Sequence, residues 1–230
     1  VSGSASMTAE GYTGEELNKG SGFSMGNQIT FSGSGEMDNG MTVGVSYTMT
    51  DAAFSTSNVT LDMGDAGKLA FGHDSAHGGI DTIKDKMPTA GEEVYDDMSG
   101  EANGIVAMNT ANTLAYGNTI EGVKVSVDFN ADNGSDGSSK SGAIEYSPVD
   151  GLNVFIGRAD ITAATNETDK HTTYGATYTT MGATLGMQMT SIADATAASD
   201  IDRTHLAASF AVNEDLSVSI GMSTVAVSYT

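Results

Sequence analysis

The chain has no cysteine, no tryptophan, two prolines and nine basic residues. Each shortage closes off a class of function. Without cysteine there is no disulfide scaffold, no thiolate metal site and no cysteine nucleophile. Nine scattered Lys and Arg against thirty Asp and Glu leave a formal charge of −21. Binding a phosphate backbone needs the opposite, a clustered excess of bases, so nucleic acid is excluded as a partner. No stretch approaches the ~18 consecutive apolar residues of a membrane helix. No basic-then-apolar leader opens the chain either, so any signal peptide is expected to be already removed. Hydrophobic residues make up 39% of the 230 positions, little for a packed globular core. They are nevertheless too regularly spaced for a disordered chain.

What is present is glycine, with twenty-nine residues, and a strict alternation of apolar with small polar residues. In Gln28–Met37, Ile29, Phe31 and Met37 share a side with Gly33 and Gly35, while Thr30, Ser32, Ser34 and Glu36 share the other. Asp38-Asn39-Gly40 is a short-turn signal. Beyond it, Val43, Val45, Tyr47 and Met49 alternate with Thr42, Gly44, Ser46 and Thr48. That is a β-hairpin. The same unit recurs after a modest loop: Val59–Met63 with Lys68–Gly72, Asn112–Asn118 with Val123–Asn130, Gly142–Pro148 with Leu152–Ala159, Thr172–Thr180 with Ala183–Thr190, and Arg203–Val212 with Leu216 onward. Helical spacing is absent over any useful length.

Most of these segments run to about 8–11 residues, the length of a tilted membrane-crossing strand. Connections alternate between longer polar ones and tight ones of about two to four residues. That layout fits an all-β fold, a transmembrane antiparallel β-barrel with its apolar stripe on lipid and its Ser/Thr/Asn stripe on a water-filled lumen. A β-sandwich would not segregate loop lengths in this way. Tyr12, Tyr47, Tyr116, Tyr146 and Tyr229 are placed near strand ends, as an interfacial girdle requires. The count reaches about thirteen strands, odd for a bacterial barrel. We therefore expect one barrel domain over residues 1–230, lacking its last strands.

One stretch breaks the rhythm. His73–Thr110 is long and acidic and contains Met87-Pro88, which strand pairing does not tolerate. Connections of this length are functional or disordered. We expect this one to fold into the barrel mouth and narrow it.

The strings QITFSGSGEMDNGMTVGVSY (Gln28–Tyr47) and DKMPTAGEEVYDD within His73–Asp97, with the repeated turn-strand units, resemble the general porins of Gram-negative outer membranes. They resemble most those of marine alphaproteobacteria. The resemblance covers nearly the whole chain. It implies a barrel of about sixteen strands, usually trimeric, with the third external loop folded inward as a constriction. By count, His73–Thr110 is that loop. Such barrels usually end in an aromatic residue, and Thr230 does not match, which fits the expected truncation.

Acids on an inserted loop facing bases on the wall would set a transverse field and sort ions and solutes. Asp81, Asp85, Glu92, Glu93, Asp96 and Asp97 are the candidates on the loop; Lys68, Lys124, Arg158 and Arg203 are those on the wall. The excess of carboxylates predicts cation preference. Other motifs carry less. His73 and His77 would suit a metal only on a helix, and Gly78-Gly79 follow at once. Asp132–Gly137 superficially matches a calcium loop, but its closing Glu is replaced by Ala143. Weak calcium binding at the acidic loops is the only cofactor expectation. Gly22-Phe23-Ser24-Met25-Gly26 matches a nucleophile-elbow string without the strand-to-helix context that elbow needs, so no catalytic residue is assigned. The reading is a passive channel for small hydrophilic solutes and ions. The alternative is an extracellular structural or adhesive β-protein, with a substrate-specific porin ranked third.

Overall fold

Alternation of large apolar with small polar residues favours a pleated sheet whose two faces meet different surroundings, and the strands of the described residues form one such sheet. The computed structural model describes residues 1–9, 23–51, 53–73, 78–84, 86–88, 112–131, 137–193, 199–213 and 216–229. Thirteen antiparallel strands follow one another in chain order across the sheet. They are β1 Ser2–Ala9, β2 Phe23–Glu36, β3 Thr42–Thr50, β4 Ala53–Asp62, β5 Lys68–His73, β6 Thr113–Ile120, β7 Val123–Asn130, β8 Ser138–Val149, β9 Leu152–Thr162, β10 Thr168–Thr180, β11 Ala183–Ala193, β12 Ser199–Ala211 and β13 Ser217–Tyr229.

Strand length varies more than the sequence suggested, from six residues in β5 to fourteen in β2. β2 begins at Phe23 because Phe23–Gly26 pairs with Ser6–Ala9 of β1. The string Phe23-Ser24-Met25-Gly26 is therefore strand, not elbow. The loop expected before Val59 is also largely strand, since β4 starts at Ala53 and Thr50 pairs with it. There Asp51 closes the connection, its Oδ1 accepting from Asn27 Nδ2 at 3.0 Å.

Tight turns join the hairpins at one end of the sheet. At Glu121-Gly122 and Met181-Gly182 both central residues have positive φ, the two-residue geometry whose twist matches the flanking strands. Pro148 has no N–H for the ladder, and the β8–β9 register slips between Tyr146 and Val149.

The two faces differ sharply. Phe31, Val45, Phe71, Val127, Phe129, Ile144, Ile156, Leu185 and Phe210 are all about half exposed on one. On the other, Asp128, Asn130, Ser141, His171, Thr173, Gln188, Thr190 and Arg203 are buried. This inverts a soluble sandwich. The apolar cluster among the described residues is correspondingly small: Ile80, Ile83, Ala143, Phe155 and Ala159. It sits on the polar, inner side of the sheet.

Candidate pore lining and the inward turn

The inner-face cluster exists because the chain after β5 crosses to the inside of the wall. Residues Gly79–Ile83 form a 3-10 turn that rests on β7, β8 and β9. Its apolar pair, Ile80 and Ile83, is fully buried. Gly157 of β9 makes room: a Cβ there would lie 2.7 Å from Ile83 Cδ1 and 2.9 Å from Ile80 Cγ1. Polar contacts fix the turn's start. The Gly79 N–H donates to Ser126 Oγ and the Ile80 N–H to Ser141 Oγ, each at 2.8 Å. Ser141 Oγ in turn donates to Asp128 Oδ1 at 2.7 Å. Without these wall hydroxyls the turn's buried N–H groups would lack partners, which costs about 1–3 kcal/mol each. From there the chain passes Lys86 and reaches Met87 and Pro88. These lie against β11, where a Cβ on Gly186 would be 2.8 Å from Met87 Sδ.

An ion-pair junction lies beside the turn. Glu145 Oε2 of β8 is 3.0 Å from Lys86 Nζ and 3.5 Å from Lys124 Nζ of β7. A cavity of about 560 Å³ opens next to it, lined among others by Asp62, Lys68, Thr82, Lys124, Ser126 and Glu145. Lys68 and Lys124, both named from sequence, thus face one space. Arg203 is on the inner face of β12 but buried, with Nη1 lacking a hydrogen-bond partner. Arg158 is a correction. It does not line the wall's interior but shares the outer face with Val154 and Ile156 of β9, alternating with buried Phe155, Gly157 and Ala159. The reason is the two-residue period of a strand. Of the acidic candidates, Asp81 is half-buried in the turn, near enough to Asp128 to act on it electrostatically. Asp85, Glu92, Glu93, Asp96 and Asp97 lie outside the described residues.

Sequence reading missed Lys86 and Glu145. Among the described residues, the loop-to-wall ion pair has a base on the loop and an acid on the wall. It also missed Ile80 and Ile83, though an apolar pair three residues apart in a polar segment was the available signal.

An apolar outer belt and a polar inner face on one antiparallel sheet are the arrangement of a transmembrane β-barrel, which crosses with its strands. Solved structures agree on the fold. The anion-selective porin from Comamonas acidovorans is 17% identical and superposes with a TM-score of 0.64 over 88% of this chain and 71% of that one. OmpF of Salmonella typhi, in complex with daunomycin, is 12% identical, with a TM-score of 0.62 over 97% and 76%. An engineered variant of the Rh. blastica porin is 15% identical, with a TM-score of 0.55 over 98% of each chain. No curated protein matches the sequence. The Gram-negative porin family model matches residues 1–227, and the chain belongs to that family. It is an outer-membrane porin channel.

Proposed function

We propose that this porin is a passive diffusion channel for small hydrophilic solutes and ions, constricted by the His73–Thr110 connection and preferring cations. The inward turn carries this reading: Ile80 and Ile83 anchor the connection on the lumen side of β8 and β9. A connection tied down there narrows the passage. Cation preference is supported by the formal charge of −21 and by Asp62, Asp128 and Glu145 on the inner face. It is supported further by the fate of two wall bases: Lys124 is held by Glu145, and Arg158 has left the lumen altogether. Asp85, Glu92, Glu93, Asp96 and Asp97 add to the negative field wherever the connection faces water. The assembly we propose is a homotrimer. The finer kinship, with porins of marine alphaproteobacteria, rests on the Gln28–Tyr47 and His73–Asp97 strings.

Single-channel recording of the purified protein in a planar bilayer tests this. Stepwise openings in groups of three, with a reversal potential in a salt gradient of the sign for cation flow, are expected. An anion-selective reversal potential rejects the charge argument and leaves the channel itself standing.

A further inference from the structure

Arg158 is not alone on the outer face. Lys140, Asp160 and Lys170 are cross-strand partners on β8, β9 and β10, so they form one outward row, with Arg158 two residues from Asp160. Lys140 Nζ lies 3.5 Å from Asp160 Oδ2, and Arg158 Nε lies 3.6 Å from Asp160 Oδ1. A single carboxylate therefore pairs with two cations, and Lys170 is its cross-strand neighbour on β10. Both contacts are long and leave the Lys140 and Arg158 side chains 68% and 63% exposed. Lys170 is exposed as well. Three of the nine bases in a chain of charge −21 thus converge on the face that meets lipid. The next outward carboxylates, Asp200 and Asp202, stand two strands beyond Lys170 on β12 and bound the patch on that side.

Position narrows the purpose. The row is in the last turns of pleat before residues 131–137 and 163–167, the connections opposite the tight turns, which in this family of barrels is the external side. Immediately below it, Ile144, Ile156 and Tyr174 pair across the same three strands as part of the apolar belt. Cations are tolerated at such a rim, about 0–1 kcal/mol each against roughly 2–4 at the midplane. Lys and Arg there can lay their stems on apolar surface with the charge at headgroup level. An excess of cation directly above hydrocarbon-facing side chains matches a ligand that is anionic above and apolar below.

We propose that Lys140, Arg158 and Lys170 bind the phosphate groups of a phosphorylated lipid of the outer leaflet, whose acyl chains lie on Ile144, Ile156 and Tyr174. Asp160 holds Lys140 and Arg158 in place, and its charge limits the pull of the patch. The site is independent of the lumen and of its ion preference.

The test is lipid retention by the purified full chain in detergent, read by native mass spectrometry with diphosphoryl lipid A and with the same lipid stripped of its phosphates. The variant K140Q/R158Q/K170Q should retain the phosphorylated lipid roughly tenfold less, and the unphosphorylated lipid unchanged. D160N should retain the phosphorylated form a few-fold better, whereas a merely structural ion-pair cluster would be weakened by that change. Heat-modifiable gel mobility checks folding. If the triple variant does not fold, D160N decides alone, and equal or lower retention overturns the proposal. Equal retention by a folded triple variant overturns it too. So does loss of self-association with lipid retention intact, which would make the patch a contact between copies.

Discussion

Glu145 is the wall carboxylate that two lysines share. It is largely shielded, 12% exposed, and has lysines on two sides, one from the wall and one from the connection. Both lysines keep access to water, 24% and 62% exposed, so freed of the carboxylate they remain solvated. With exposed pairs contributing about 0–1 kcal/mol, Glu145→Gln is expected to shift the unfolding midpoint in urea only slightly. Its effect should be on permeation. With the carboxylate gone, Lys86 and Lys124 lose the partner they share, and the reversal potential in a salt gradient should move toward anions. An unmoved potential would place the ion-selective step elsewhere in the pore. Lys86 could not be picked from sequence, because a lysine between Asp85 and Met87 reads as one more loop charge. Only the crossing of the chain to β8 brings it to Glu145. Arg158 teaches the converse. Its parity with Val154 and Ile156 was on the page, and the alternation rule places it outside.

The inward turn and the wall that receives it belong to the scale of elements. Ile80 and Ile83 are completely buried against Ala143, Phe155 and Ala159, and an Ile→Ala change in a dry core costs about 2–5 kcal/mol. I80A/I83A should detach the turn while leaving the strand ladder whole. The expected record is a barrel that still shows heat-modifiable mobility, with a larger and noisier single-channel conductance. Unchanged conductance from a folded double variant would mean the turn does not limit flow. Gly157→Val approaches the same junction from the wall, since a Cβ there already meets both isoleucines inside 3.0 Å. It should raise conductance in the same direction at a smaller cost, roughly 1–3 kcal/mol of overpacking. The hairpins were legible because alternation and turn residues are local. The boundaries of β2 and β4 were not, because Phe23–Gly26 and Ala53–Asn58 are strand only through their partners.

At the scale of the whole molecule, stability comes from a belt facing lipid rather than from an interior. Ile156 is 51% exposed near the middle of β9, so Ile156→Lys should cost roughly 2–4 kcal/mol in urea titrations of the barrel folded into phospholipid vesicles. Thr173→Ser, on the lumen face of the neighbouring strand, should cost far less. Equal penalties would contradict the assignment of faces. The all-β class, the hairpin order and the two chemically distinct faces follow from the order of residues alone, since each rests on a two-residue period and on local turn residues. Which charges share the lumen does not. Lys68, Lys124, Glu145 and Lys86 come from four separate segments, and their meeting depends on sheet curvature and on where a long connection touches the wall. Those are set by packing between residues distant in the chain, which no local pattern encodes.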